Sequence, residues 1–228
     1  MNARVLVVDA DLHAAKTTTT ILLGRGCETR TVVSAEAAHE TIRTWRPALV
    51  IAALEMTPID GSELCHCLRQ ASSAPLIAIA SNTRAEVAAL DSGADDYLVR
   101  PITADQLMAR VRVALRRSAL SSEMAEMGVG EFHIDFHGRR VHVHGQPVRL
   151  TPKEFDLFVF MARHPNRVLP HRTLLGAVWG EGSADQSEYL RVFVGQLRKK
   201  LEHDPSNPRY LVTEPWVGYR FNPDGLAH

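Results

Sequence analysis

Short apolar runs alternate with longer amphipathic segments through the first half of the chain. The apolar runs predict β-strands at Arg4–Val8, Glu28–Val33, Leu49–Ala53, Leu76–Ala80 and Asp96–Val99. Helical patterns lie between and after them, near 12–24, 35–45, 61–71, 84–92 and 104–117. Alternation of this length predicts a parallel sheet with helices on both faces.

The carboxyl ends of these strands should border one shared pocket. In open parallel sheets the functional crevice lies beyond that edge, because the connecting loops leave room for it there. The residues at or just after the predicted strand ends are Asp9, Ala10, Asp11, Ala53, Ala80 and Arg100.

The second half of the chain has a different pattern. A period-two alternation from Phe132 to Leu150, with turns at Gly138 and Gly145, predicts a small antiparallel sheet. Helical patterns follow at about 152–163, 171–178 and 186–202, and residues 210–221 close the chain as a predicted β-hairpin. Three helices followed by a hairpin is the order of a winged helix-turn-helix domain.

The 26 basic and 26 acidic residues balance over the whole chain but not within its halves. Residues 128–228 hold 13 Lys and Arg against 11 Asp and Glu, which gives weak support to a nucleic-acid partner. The chain has no apolar run of signal-peptide or membrane-spanning length. We therefore expect a cytoplasmic protein without membrane contact, whose three Cys are reduced.

Several motifs resemble the OmpR/PhoB family of two-component response regulators. Val5-Leu-Val-Val-Asp9-Ala10-Asp11 resembles the first strand and acidic cluster of the family's receiver domain. The run from Gly93 to Pro101, Gly-Ala-Asp-Asp-Tyr-Leu-Val-Arg-Pro, resembles its Gly-Ala-Asp-Asp-Tyr-Leu-x-Lys-Pro. Leu150-Thr-Pro-Lys-Glu154-Phe resembles the Leu-Thr-x-x-Glu-Phe of its second domain. Within the family, the chain looks most like the potassium-transport regulators.

The resemblance covers essentially the whole chain and implies an α/β fold class. It places a (βα)5 flavodoxin-like receiver with a parallel sheet at 1–118, a linker at 119–128 and a winged helix-turn-helix DNA-binding domain at 129–224. The implied protein is a sequence-specific transcription regulator rather than an enzyme. Its implied partners are double-stranded operator DNA, a second copy of the chain and RNA polymerase.

The residues that carry phosphoryl chemistry in a receiver are replaced here. In the family an aspartate at the position of Ala53 accepts the phosphoryl group, and a methyl group has no oxygen to form that bond. Ala10 stands at a Mg²⁺-binding acid, Ala80 at a hydroxyl position and Arg100 at a lysine position, whereas Asp9 is kept. We expect a pseudo-receiver with no catalytic residue, no bound metal and no cofactor.

Two alternatives remain open for the altered pocket. One is a substitute acceptor at Glu55, Asp60 or Asp11 that works in a phosphorelay; the other is a ligand or protein partner that enters the vacated pocket. We also expect Arg100 to pair with a neighbouring carboxylate and close the pocket, because its planar guanidinium is permanently charged.

The family resemblance also implies a dimer interface on the fourth helix, fifth strand and fifth helix. In that scheme Asp91 pairs with Arg112 and Asp96 with Arg110 across a two-fold axis, and both pairs are present. Tyr97 matches the aromatic switch residue that turns inward on activation. We therefore expect this receiver to dimerise without phosphate, in a preset active state.

The segment Ser187–Leu201 matches the family's recognition helix. Apolar residues at spacings of three and four predict one buried stripe, and the basic residues off that stripe are candidates for DNA contacts. The wing departs from the family pattern, with Pro215 and Trp216 at its tip. The predicted DNA-binding residues are Arg191, Arg198, Lys199, Lys200, Trp216 and Arg220.

Overall fold

The computed structural model describes residues 3–56, 58–115, 125–180 and 187–225. They fall into two compact units, divided between Arg116 and Arg117. Most of the predicted linker 119–128 lies outside the described residues. A strand that begins at Glu126 takes up the end of that stretch, and the predicted limits 1–118 and 129–224 stay predictions.

A five-stranded parallel sheet forms the centre of the first unit. Its strands are β1 (Arg4–Val8), β2 (Glu28–Val32), β3 (Leu49–Ala53), β4 (Leu76–Ala80) and β5 (Asp96–Val99). The spatial order is β2-β1-β3-β4-β5, with every pair parallel. The direction of winding reverses between β1 and β3, which is where such sheets form their crevice. The predicted flavodoxin-like fold class is confirmed.

Five helices cover this sheet: α1 (Leu12–Leu23), α2 (Ala35–Trp45), α3 (Gly61–Ala71), α4 (Glu86–Asp91) and α5 (Ala104–Leu115). Asp11, Ser34 and Asp60 cap the first three, because each side chain accepts backbone N–H groups of the first turn. Helix α4 is shorter than the predicted segment 84–92, and no side chain caps its start.

The central strands β3 and β4 are buried along their whole length. This burial explains why they appear in the sequence as continuous apolar runs instead of alternating, since helices cover both faces of a parallel sheet. Val5, Leu49, Ile51 and Ile77 form the middle of this core. The packing fixes the strand ends, and hence the positions of the residues that follow them.

The second unit begins with a four-stranded antiparallel sheet. Its strands are β6 (Glu126–Val129), β7 (Phe132–Asp135), β8 (Arg140–Val143) and β9 (Gln146–Val148), in sequence order. Burial alternates along β7 and β8, as the period-two pattern predicts.

Three helices follow: α6 (Pro152–Ala162), α7 (His171–Trp179) and α8 (Ser187–Leu201). Thr151 and Glu154 form a capping box at the start of α6. The stripe predicted for α8 is confirmed, since every member is at most 4% exposed: Leu190, Phe193, Val194, Leu197 and Leu201.

A three-stranded sheet completes the winged helix. The hairpin β11 (Leu211–Glu214) and β12 (Gly218–Phe221) was predicted, and β10 (Val168–Pro170) pairs with the outer side of β12. Three residues are too few to show a strand period in the sequence. Across the described ranges, no helix has the length and apolarity needed to span a bilayer.

Candidate phosphoacceptor pocket and nucleic-acid interface

The carboxyl ends of β1, β3 and β4 bring the predicted pocket residues together. Asp9, Ala53 and Ala80 are each no more than 4% exposed, whereas Ala10 faces solvent. Asp11 turns away to cap α1, where its carboxylate accepts the backbone N–H groups of His13 and Ala14. Those hydrogen bonds hold the pKa of Asp11 below its usual range.

Arg100 occupies the space above the strand ends. Its Nη2 lies 2.7 Å from Oδ2 of Asp9, and its Nη1 lies 3.8 Å from Oε2 of Glu55. The Asp9 side chain is 5% exposed and the Arg100 side chain 29%, so the ion pair is largely withdrawn from water. The expected pairing of Arg100 with a carboxylate is therefore present, and the partner is Asp9 rather than Asp11.

Glu55 adds a second connection over the same edge. Its Oε1 accepts the backbone N–H of Ser81 at 2.6 Å, so this side chain links the loop after β3 to the end of β4. The sequence offered Glu55 only as a substitute acceptor. Its contact with Ser81 had no signal in the sequence, because the donor is a backbone group of a distant loop.

These residues do not fit a Mg²⁺ site of the receiver type. Mg²⁺ in phosphoryl-transfer sites takes oxygen ligands from one or two carboxylates and the substrate. Ala10 and Ala53 offer no side-chain oxygen. In Asp9, Oδ2 accepts a hydrogen bond from the Arg100 guanidinium and Oδ1 accepts one from the backbone N–H of Asp11. No step through a metal ion follows from this donor set.

A cavity of about 470 Å³ opens beside the pocket, between α1 and the loop that leads into α5. Its walls include Thr17, Thr18, Ile21, Arg100, Ile102 and Leu107, and neither Asp9 nor Ala53 lines it. This cavity is therefore separate from the position of Ala53. Ligand binding in the vacated pocket stays a prediction.

Tyr97 on β5 points into the protein. It is 3% exposed, and its hydroxyl group donates a hydrogen bond of 2.5 Å to the carbonyl oxygen of Asn82. Burial, reinforced by the nearby Glu55 and Glu86 carboxylates, raises the pKa of Tyr97 to about 12. The phenol therefore stays protonated as a donor at neutral pH. The family resemblance associates this inward position with activation, and an active state of this receiver stays a prediction.

The four residues of the predicted dimer face have different surroundings. Nη1 of Arg110 lies 3.5 Å from Oδ2 of Asp96 within the same chain, and both side chains are mostly buried. Asp91 and Arg112 are exposed on α4 and α5. The pair between Asp96 and Arg110 thus lies within one chain, and the contacts of this face with a second copy stay a prediction.

Helix α8 presents an exposed face made of Glu188, Arg191 and Lys199, with Val192 and Gly195 half-buried between them. Nη1 of Arg191 lies 3.0 Å from Oε1 of Glu188, and both side chains are well exposed. This ion pair is open to water and contributes little to stability.

Arg198 and Lys200, two of the predicted DNA contacts, have partners inside the domain. The Arg198 guanidinium donates to the carbonyl oxygen of Leu211, through Nε at 2.9 Å and Nη2 at 2.6 Å, and to the Thr213 hydroxyl at 2.7 Å. Nζ of Lys200 lies 2.5 Å from a carboxylate oxygen of Glu154, a residue only 1% exposed. Arg198 fixes α8 to the wing, and Lys200 neutralises the capping residue of α6.

The wing carries an exposed aromatic residue, Trp216, at its tip, whereas its Arg220 is held inside the hairpin. Nη2 of Arg220 lies 2.7 Å from Oε1 of Glu214, and both side chains are mostly buried. Trp216, between these strands, is 99% exposed. Of the predicted DNA-binding residues, Arg191, Lys199, Lys200 and Trp216 are exposed, and Lys200 is bonded to the buried Glu154.

The two cysteines of α3 lie on different sides of the helix, because side chains two residues apart on a helix point about 200° apart. Cys65 is buried and Cys67 is exposed. Burial raises the pKa of the Cys65 thiol to about 12, so it packs as a neutral group. Within the described residues, no cluster of three or more His, Cys, Asp or Glu has the arrangement of a metal site.

Two family models match the chain. The model for a response regulator receiver domain matches residues 5–112, and the model for "Transcriptional regulatory protein, C terminal" matches residues 145–221. The DNA-binding response regulator MtrA of Mycolicibacterium smegmatis is 38% identical, over 98% of each chain. The chain belongs to the OmpR/PhoB family of response regulators.

Further relatives support this assignment. The regulator KdpE of Escherichia coli is 37% identical over 95% of this chain and 98% of its own. The sequence motifs predict the greatest likeness to potassium-transport regulators such as KdpE, but the identity to MtrA is as high. The solved structure of a RitR mutant shares the fold, with a TM-score of 0.80 at 19% identity, over 97% of this chain and 99% of that chain.

Membership of the family decides the broad function. OmpR/PhoB regulators are DNA-binding transcription factors and not enzymes, so the same holds for this chain. The chain has the two parts that such a factor needs, a receiver fold and a winged helix.

The Arg100 ion pair should contribute to stability. We expect Arg100→Met to lower the free energy of unfolding by about 1–3 kcal/mol, because the Asp9 carboxylate is then buried without its partner. Calorimetry of the full-length protein would measure the change.

A matched control is Arg25→Met. Nη2 of Arg25 lies 3.5 Å from Oδ1 of Asp105, and that pair is well exposed. Its loss should cost less than about 0.5 kcal/mol. Equal stability of the Arg100→Met protein and the wild type would contradict the structural role.

Proposed function

We propose that this transcription factor acts in the cytoplasm and binds DNA without being phosphorylated on its receiver, which serves as a dimerisation module. The observation that carries the proposal is the guanidinium of Arg100, held 2.7 Å from Asp9, at the sheet edge where β3 ends in Ala53, whose side chain is a methyl group. The positive charge is bonded to a carboxylate of the fold itself, with no oxygen present at the acceptor position.

The chemistry of phosphoryl transfer supports this interpretation. A receiver must provide an oxygen nucleophile and compensate the charge of the phosphoryl group with a metal ion and a cation. Ala53 removes the nucleophile, and the pairing of Asp9 with Arg100 engages both the acid and the cation. Nucleophile, metal-binding acids and cation act together, so restoring one of them is not sufficient for the reaction.

Tyr97 supports the view that the receiver is preset. Its hydroxyl donates a hydrogen bond to the Asn82 carbonyl oxygen, which holds the side chain inward. The neighbouring strand β4 offers little bulk against this position, since Ala78 is the register partner of Tyr97. The inward state thus has its own hydrogen bond and needs no phosphate to hold it.

Phosphorylation is tested directly with acetyl phosphate and Mg²⁺. We expect intact-mass spectrometry of the full chain to show no phosphorylated species, and DNA affinity to be the same before and after treatment. A receiver that has the acceptor aspartate is the positive control. A stable phosphorylated form at Glu55, Asp60 or Asp11 would favour the phosphorelay alternative and contradict the proposal.

Dimerisation is proposed through α4, β5 and α5. Of the four predicted residues, Asp91 and Arg112 are exposed, while the pair between Asp96 and Arg110 holds β5 against α5. In a two-fold arrangement each Asp91 meets Arg112 of the other copy. Such an interface buries opposite charges twice, once on each side of the axis.

A charge exchange tests this face. We expect Asp91→Arg or Arg112→Asp alone to weaken self-association of the full chain about tenfold or more, because like charges then oppose each other. The double variant should recover association. Sedimentation velocity measures both, with Arg43→Glu on α2 as a control far from this face. A wild-type monomer at high micromolar concentration would overturn the proposal.

DNA recognition is proposed for the exposed face of α8. Arg191 is placed to read base edges, because a guanidinium can bond two acceptors of one guanine. Lys199, two turns further along the helix, is placed to contact phosphate. Arg198 and Lys200 position the helix and the fold instead. RNA polymerase, the further partner implied by the family, stays a prediction.

The two lysines at the end of α8 form a matched pair for testing this assignment. We expect Lys199→Ala to weaken DNA binding uniformly and to lower the salt slope of log K by about 1, since one phosphate contact is lost. Lys200→Ala should leave the slope unchanged but lower stability. Arg191→Ala should lower the free energy of binding to the preferred DNA sequence by about 1–3 kcal/mol and reduce the discrimination against other sequences. Equal salt slopes for both lysine variants would contradict the assignment.

A further inference from the structure

The tip of the wing is a tight turn with an unusual residue in it. The backbone N–H of Val217 donates to the carbonyl oxygen of Glu214 at 3.1 Å, which closes a four-residue turn. Pro215 is its second residue and Trp216 its third, with φ at +65°. A turn with Pro second and a positive φ third normally takes Gly or Asn at that third position. A bulky aromatic residue is strained there.

The same residue is also exposed to an extreme degree. Trp216 is 99% exposed, whereas Trp45 is 5% and Trp179 is 1% exposed. An indole gains more from burial than almost any other side chain. Trp216 therefore combines backbone strain with loss of apolar burial, and neither feature stabilises the folded domain. Such a combination indicates a role outside the domain's own packing.

The wing holds this tip in a fixed place. Arg198 ties β11 to α8 through the carbonyl oxygen of Leu211. At the first residue of β12, a Cβ on Gly218 would lie 1.9 Å from the carbonyl oxygen of Leu169, so β10 packs directly against the backbone of Gly218. The ion pair between Glu214 and Arg220 joins the two strands beside the turn. Trp216 is thus presented at a set distance from the recognition helix.

The shape of the tip favours DNA over a protein partner. A stable protein interface buries about 800 Å² on each partner, and a turn of Pro215, Trp216 and Val217 is too small to provide that area. The minor groove of DNA is about 6 Å wide and admits a narrow hairpin tip. Minor-groove proteins insert apolar side chains between base pairs and bend the duplex there.

We propose that Trp216 is a wedge that enters the minor groove next to the site of α8, opens one base step and bends the operator. The inference rests on the proposed DNA-binding function. It also assigns a sequence preference: the step under the wing is a flexible pyrimidine–purine step, because these steps open at the lowest cost.

Fluorescence of the full chain tests the contact. Since the other two tryptophans are buried, acrylamide quenches mainly Trp216. We expect a duplex selected by the protein from a random-sequence pool to reduce this quenching severalfold, with the Trp216→Gly variant as the baseline that lacks the accessible component. Unchanged quenching on a duplex that is bound in a salt-dependent way would overturn the wedge while leaving DNA binding intact.

Bending is measured on the same duplex by energy transfer between dyes at its ends. Glycine adopts a positive φ without strain, so the Trp216→Gly protein should melt at or above the wild-type temperature. It should bind the duplex about tenfold more weakly than the wild type and leave the duplex unbent. Trp216→Phe should keep part of both effects. A wild-type complex with straight DNA, or a Gly variant that binds and bends like the wild type, overturns the proposal. Absence of any DNA binding by the wild type would instead reject the proposed function.

Discussion

The contact between Arg100 and Asp9 is the interaction on which the carboxyl edge of the receiver sheet depends. Asp9 is a buried carboxylate at the end of β1, and a buried charge without a partner is costly. Because Arg100 follows β5, the ion pair reaches across the sheet, and Glu55 adds a link to β4 through the N–H of Ser81. The edge that serves chemistry in a phosphorylated receiver is closed here by the chain's own charges.

In the DNA-binding unit, too, some charged side chains are bonded to groups of the protein itself. Four of the basic residues predicted to contact DNA lie within a few turns of one another, yet two of them neutralise or position groups of the domain itself. Arg198 satisfies a carbonyl group of β11, and Lys200 satisfies the carboxylate that caps α6. The exposed Arg191 and Lys199 are the cations of α8 that we propose to contact DNA. The proposed assembly through α4, β5 and α5 and the proposed recognition through α8 therefore belong to different units of the chain.

Much of the fold follows from local patterns, but not all of the site does. Strands β1, β3 and β4 are predicted residue for residue, because helices cover both faces of the sheet and the strands are apolar apart from the exposed Arg4 at the start of β1. The strand β10 escapes prediction, since three residues show no period and Gly218 reveals its packing only when the neighbour is known. The Arg100 pairing was foreseen from the convergence of strand ends. The partner of Glu55 was not, because a backbone N–H carries no side-chain signature.

By itself the sequence determined the order of elements, the family and the missing oxygen at Ala53, since each depends on residue type at a fixed place in a pattern. Only the tertiary structure decided which charges are free to act. Lys200 meets Glu154 from 46 residues away, and Arg198 meets the backbone of Leu211 from 13 residues away. Such pairings depend on distance in space, so a basic residue in the sequence is a candidate contact, and its surroundings determine whether it faces DNA or the protein.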